Sequence, residues 1–115
     1  MTTVKLSKNL QNPRGVYSIP VTPFHENGKL DLDSLRKCIE FCLEKGAHGI
    51  VMPVNASEVS TLTDEERTQV IKEGVKSVNG SVHFVAGVTG NSIEQVQESV
   101  KIVEDLGVDS IITCL

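Results

Sequence analysis

Along the chain, short apolar runs alternate with longer segments whose apolar residues recur at helical spacing. The runs from Val16 to Val21, Gly49 to Met52, His83 to Ala86 and Ser110 to Thr113 are too short for helices and rich in Val and Ile, which predicts four strands. Between them lie three amphipathic segments. The first starts near Asp33, sets Leu35, Ile39 and Cys42 on one face and ends at Gly46. The second opens with the capping box Thr63-Asp-Glu-Glu66 and buries Val70, Ile71, Val75 and Val78, with Gly74 on the same face allowing close approach. The third opens with Ser92-Ile-Glu-Gln95, a second capping box, aligns Ile93, Val96, Val100 and Val103, and closes at Gly107. Acidic residues gather in the first turns of the second and third helices, where the helix dipole favours them.

Strands that begin about every 30 residues with a helix between each pair predict parallel βα units. Right-handed crossovers then place every strand's carboxyl end on one side of the molecule, and function is expected there. Those ends read Pro20-Val-Thr22-Pro-Phe24, Pro53-Val-Asn55-Ala-Ser57-Glu58, Gly87-Val-Thr89-Gly-Asn91 and Thr113-Cys-Leu115. The opposite turns, Gly46 to Gly49 and Asn79 to Val82, are short and suited to scaffold duty. A parallel sheet needs both faces covered, which either a closed eight-stranded barrel of about 250 residues or an open doubly wound sheet would do. No GxGxxG or P-loop follows any strand, so the nucleotide-binding open sheet lacks support.

Composition narrows the function classes. The 115 residues are 39% hydrophobic and 23% charged, which fits a folded domain rather than a disordered chain. A net charge of −4 with scattered Lys and Arg offers no stripe to neutralise phosphates, so nucleic acid is not an expected partner. The sequence has neither a membrane-length apolar run nor a signal-peptide core, so a cytoplasmic location is expected. Three cysteines without metal-ligand spacing predict neither disulfides nor zinc, and Cys38, Cys42 and Cys114 read as small apolar packing residues. His25, His48 and His83 are spread over different loops and predict no metal site. Residues 1–14 read as a polar leader and residues 15–115 as the folded portion.

Several motifs, taken in order, resemble the pyruvate-dependent class I aldolases and lyases typified by dihydrodipicolinate synthase and N-acetylneuraminate lyase. Gly15-Val16 with Val21-Thr-Pro-Phe24 resembles the family's first strand, and Glu26-Asn-Gly28 with Asp31 resembles its next turn and helix start. Glu58-Val-Ser-Thr61-Leu62-Thr63-Asp-Glu-Glu66-Arg67 is similar to the stretch beyond the family's Gly-Thr-Thr-Gly-Glu signature, and Ala86-Gly87 with Asn91-Ser92 resembles its third strand and loop.

The resemblance implies a fold, the amino-terminal half of a (β/α)8 barrel with four parallel strands and three helices. It also implies a chemistry without metal or cofactor, in which a lysine on the sixth strand forms a Schiff base with pyruvate or a related 2-oxo acid and a tyrosine on the fifth strand transfers protons. Neither residue has a counterpart in these 115, so no catalytic residue is expected in this chain and the chain alone is expected to be inactive. Its expected contribution is the substrate-carboxylate site: Asn55, Ala56 and Ser57, with the backbone amides of Ala56 and Ser57 and the Ser57 hydroxyl as donors. Glu58 is expected to support that loop by bonding its amides.

The family signature is replaced here by Val54-Asn-Ala-Ser-Glu58, which removes both threonines. Asn55 stands where the synthase branch relays a proton through a hydroxyl, and an amide is a poor proton carrier near pH 7. This favours a divergent aldolase, dehydratase or lyase acting on another 2-oxo acid. The resemblance further implies a homodimeric or homotetrameric parent protein. The alternative is a small noncatalytic α/β module that binds an anion or a partner at the Asn55 loop.

Overall fold

The computed structural model describes residues 13–113; most of the polar leader, together with Cys114, lies outside them. Four strands, Tyr17–Ser18 (β1), Gly49–Met52 (β2), His83–Gly87 (β3) and Ser110–Ile112 (β4), form one parallel sheet in the order β1-β2-β3-β4. Helices Leu32–Glu44 (α1), Asp64–Val78 (α2) and Ile93–Glu104 (α3) fill the three crossovers. This is the amino-terminal half of a (β/α)8 barrel, as the resemblance implies.

Period-two alternation divides the sheet into two faces. Ile50, Met52, Phe84 and Ala86 meet Leu35 and Ile39 of α1, Val70, Ile71 and Val78 of α2 and Val103 of α3 in the main core. Gly74 lets α2 lie close to the sheet, because a Cβ there would sit 2.6 Å from Cε2 of Phe84 and 3.2 Å from the Met52 sulfur. Val51, Val54 and Val85 form the second, smaller cluster with Tyr17 packed against it. On this second face the Tyr17 ring crosses Gly49 and its hydroxyl meets Nδ1 of His83 at 2.6 Å, while Nε2 of His83 lies 3.1 Å from the Ser110 hydroxyl. A polar chain thus joins β1, β3 and β4, with His83 only 4% exposed.

The helix caps follow the sequence with three adjustments. The Thr63–Glu66 box forms in both directions. At α3 only half of the expected box forms: Ser92 accepts from Gln95 N, but the Gln95 side chain bonds Asn91 N instead of the cap residue's own N–H. The first helix starts earlier than expected, because Asp31 caps it through Ser34 N. Ile93, expected on the buried face of α3, is 74% exposed at the first helical position, whereas Val96 and Val100 pack on the core. Cys42 packs there too, while Cys38 is half-buried outside the core cluster and both are free thiols.

Strand β1 is much shorter than the apolar run Val16–Val21. Its pairing stops at Ser18↔Ile50, and two residues later Pro20 has no N–H to offer a neighbour. Val16, Ile19 and Val21 remain exposed at this edge of the sheet, and Ile111 and Ile112 remain exposed at the β4 edge. Among the described residues nothing pairs with either edge.

Three consequences can be measured. Gly74→Val is expected to lower unfolding stability in urea by roughly 1–3 kcal/mol through overpacking against Phe84; an unchanged midpoint would show that α2 does not sit this close. Tyr17→Phe, which leaves Nδ1 of His83 without its hydrogen-bond partner, is expected to cost roughly 1–3 kcal/mol in the same assay, and a neutral result would remove the polar chain from the folded state. The third concerns acid. The Ser34 hydroxyl and N–H, both donating to Asp31, hold its carboxyl below the ordinary aspartate value, with the charge of His25 a smaller contribution. A carboxyl lowered on folding stabilises above its unfolded pKa, and that stability is lost as pH falls through the folded value. Stability measured from about pH 4 downwards is therefore expected to fall less steeply in Asp31→Asn than in the parent, and identical acid limbs would contradict this role.

Candidate functional site

The carboxyl ends of β1, β2 and β3 converge as the parallel topology requires. After β2 the chain passes Pro53, whose carbonyl lies directly against Gly87 at the end of β3, where any Cβ would collide with it. It then forms two single-turn 3-10 helices, Asn55–Ser57 and Val59–Thr61, joined at Glu58. Glu58 adopts φ 61° and ψ 38°, a left-handed conformation uncommon for a residue with a side chain. The Val54 carbonyl accepts from both Ser57 N (2.9 Å) and Val59 N (3.2 Å), and the Asn55 carbonyl accepts from Glu58 N (2.9 Å).

This arrangement gives the three expected carboxylate-site residues different roles. Asn55 and Ala56 are exposed, and among the described residues neither backbone N–H has a hydrogen-bond partner. Ser57 is completely buried: its N–H is spent on Val54, and its hydroxyl donates to the Pro20 carbonyl at 2.7 Å. Two adjacent unpaired donors therefore exist, but they belong to Asn55 and Ala56 rather than to Ala56 and Ser57. The Ser57 hydroxyl, expected to face a ligand, has turned inward to satisfy a carbonyl that Pro20 carries just past the end of β1. The Glu58 carboxylate is exposed and bonds no loop amide among the described residues, contrary to the supporting role expected of it.

Thr22, at the end of the first apolar run, is 4% exposed and donates its hydroxyl to the Ser57 carbonyl at 2.5 Å. Sequence reasoning noted its position at a strand end but had no means to foresee this partner, 35 residues away in the chain. Thr89, after β3, accepts from Nη1 of Arg67 through its carbonyl at 3.1 Å. Arg67 lines a cavity of ≈ 170 Å³ between α2 and α3, together with Asp64, Asn91 and Gln95, and its Nε is buried without a partner among the described residues. The sequence reading did not single out this cavity, since its residues come from α2, α3, the end of β3 and the loop after it.

The histidines lie apart. His25 faces Asp31 at 3.6 Å, Nδ1 of His48 accepts from Val16 N at 2.9 Å, and His83 is held by Tyr17 and Ser110 on the sheet. Among the described residues no three His, Cys, Asp or Glu side chains gather as metal ligands would. No helix among them is long and apolar enough to cross a membrane. Every described lysine, at positions 29, 37, 45, 72, 76 and 101, is exposed, and none lies on a strand.

Comparison with known proteins agrees with this fold. The chain is 39% identical over 99 residues to the 4-hydroxy-tetrahydrodipicolinate synthase of Methanococcus maripaludis (strain C5), a match covering 86% of this chain and 34% of that protein. It is 40% identical over 90 residues to the enzyme of the same name from Cellvibrio japonicus, covering 78% and 31%. Among solved structures, a dihydrodipicolinate synthase superposes with a TM-score of 0.83 at 38% identity, over 86% of this chain and 34% of that one. The chloride-inhibited dihydrodipicolinate synthase from Acinetobacter baumannii, complexed with pyruvate, gives 0.85 at 36% identity, over 89% and 35%. The chain thus spans about a third of the length of the relatives it matches. With residues 12–114 also matching the profile of the dihydrodipicolinate synthetase family, the chain belongs to that family.

Proposed function

We propose that this chain supplies the substrate-carboxylate site of a Schiff-base-forming carbon–carbon or carbon–oxygen lyase acting on pyruvate or another 2-oxo acid. The observation that carries the reading is the pair of adjacent, exposed N–H groups of Asn55 and Ala56 at the carboxyl end of β2, unpaired among the described residues. A carboxylate presents two oxygens to such a pair, and fixed amide donors orient it without needing a charge of their own. The Acinetobacter relative is described as a pyruvate complex, which supports a 2-oxo acid as the ligand class.

The nucleophile of this reaction comes from residues outside these 115. A Schiff-base lysine must lose its proton near neutral pH, which requires a desolvated setting or a neighbouring cation. The described lysines, all exposed, lack the first. The division of labour is then simple: Asn55 and Ala56 hold the carboxylate, while lysine and tyrosine on later strands attack the keto carbon and move protons. Asn55 cannot relay a proton as a hydroxyl does, which favours a 2-oxo acid reaction other than that of the synthase branch. A homodimeric or homotetrameric parent in the cytoplasm, free of metal and cofactor, belongs to the same reading. The exposed apolar residues at both sheet edges weigh against a self-sufficient noncatalytic module.

Borohydride reduction in the presence of pyruvate tests this directly by mass spectrometry. The 115-residue chain is expected to gain no adduct, whereas the same residues carried within a full-length family chain are expected to be trapped on a single lysine outside them. Trapping on any lysine of these 115 residues, or none in the longer chain, would contradict it.

A further inference from the structure

We infer that Thr22 and Ser57 are positioning residues that aim the Asn55 and Ala56 amides at the substrate carboxylate without touching it; the inference rests on the carboxylate-site reading above. Three observations converge on Ser57. Its side chain is fully buried, its hydroxyl donates to Pro20 O at 2.7 Å, and its carbonyl accepts from the Thr22 hydroxyl at 2.5 Å. The two side-chain bonds run in opposite directions between the same pair of segments, residues 20–22 after β1 and residue 57 after β2. Thr22 is itself 4% exposed, so both hydroxyls act in a setting where an unmade hydrogen bond is costly.

The unpaired amides lie immediately before this clamp. Asn55 and Ala56 have no side-chain hydrogen bonds among the described residues, and a lone 3-10 turn of three residues is too short to hold its own geometry. Ladder pairing offers no help, because β1 stops at Ser18 and β2 at Met52. The Ser57 clamp ties the end of the turn to a second strand terminus, and through Val54 O its N–H fixes the start of the turn as well. An anion site made of backbone donors works only when those donors point at the ligand before it arrives. Ser57 therefore contributes to binding by position, with its hydroxyl hydrogen unavailable to the ligand.

The test is a pyruvate titration of a ¹⁵N-labelled full-length family chain carrying these residues, following the Asn55 and Ala56 amide resonances, alongside thermal unfolding without ligand. The parent chain is expected to show saturable shifts at both amides. Ser57→Ala and Thr22→Val are each expected to bind pyruvate about tenfold more weakly, the effect of one lost buried hydrogen bond, while retaining cooperative unfolding. Thr22→Ser, which keeps the hydroxyl, is expected to bind within about twofold of the parent, a rescue that a mere packing role would not give. Parent-like affinity in both hydroxyl-less variants would overturn the clamp and leave the carboxylate site standing. So would equally weak binding by Thr22→Ser and Thr22→Val, or loss of folding in both Ser57→Ala and Thr22→Val. No shift at Asn55 or Ala56 in the parent would remove the carboxylate site, and the clamp with it.

Discussion

Parallel pairing of consecutive strands is the constraint from which the rest follows. A chain that runs β1, β2, β3, β4 in spatial as well as sequence order, each strand pointing the same way, must bring its crossovers back across one face and leave its strand ends together. In this molecule those ends are bonded to one another as well as adjacent. Ser57 and Thr22 link the ends of β1 and β2, the Pro53 carbonyl rests on Gly87 of β3, and Arg67 of α2 reaches the Thr89 carbonyl. The sites of least regular backbone are thereby held by side chains where the ladder has run out.

The two faces of the sheet are served differently. The helix-covered face is apolar and closely packed, with Gly74 admitting the Phe84 ring. The other face carries few described apolar partners beyond Val51, Val54, Val85 and Tyr17, and near the amino ends of the strands it holds the Tyr17–His83–Ser110 chain. Apolar residues stay exposed at both edges, at Val16, Ile19 and Val21 on one side and Ile111 and Ile112 on the other. An eight-stranded closure would pair both edges and enclose the second face, which is the arrangement that the family likeness describes.

Much of this fold was legible from residue order because its signals are local. Helix faces follow from 3.6-residue spacing, and Thr63 with Glu66 forms its capping box from four adjacent residues. Ile93 departed from that spacing because the first turn of a helix need not lie over the sheet. The site was harder to read because its contacts are not local. Nothing around Ser57 reveals that a carbonyl 37 residues earlier will claim its hydroxyl, nor that Thr22 will claim its carbonyl in return. Spacing could therefore nominate Asn55, Ala56 and Ser57 together, but only the meeting of two strand ends separates the two donors from the residue that holds them. Glu58 illustrates the same limit: its backbone makes the left-handed joint, while its carboxylate stays free of the loop amides among the described residues.

The central claim is that two backbone amides after β2 grip a 2-oxo acid by its carboxylate. A crystal structure of a full-length family chain carrying these residues, soaked with pyruvate, measures that most directly. The account predicts carboxylate oxygens about 2.7–3.2 Å from both Asn55 N and Ala56 N, with the Ser57 hydroxyl still on Pro20. A carboxylate bound elsewhere, or those amides found paired with protein groups while pyruvate occupies another site, would contradict it.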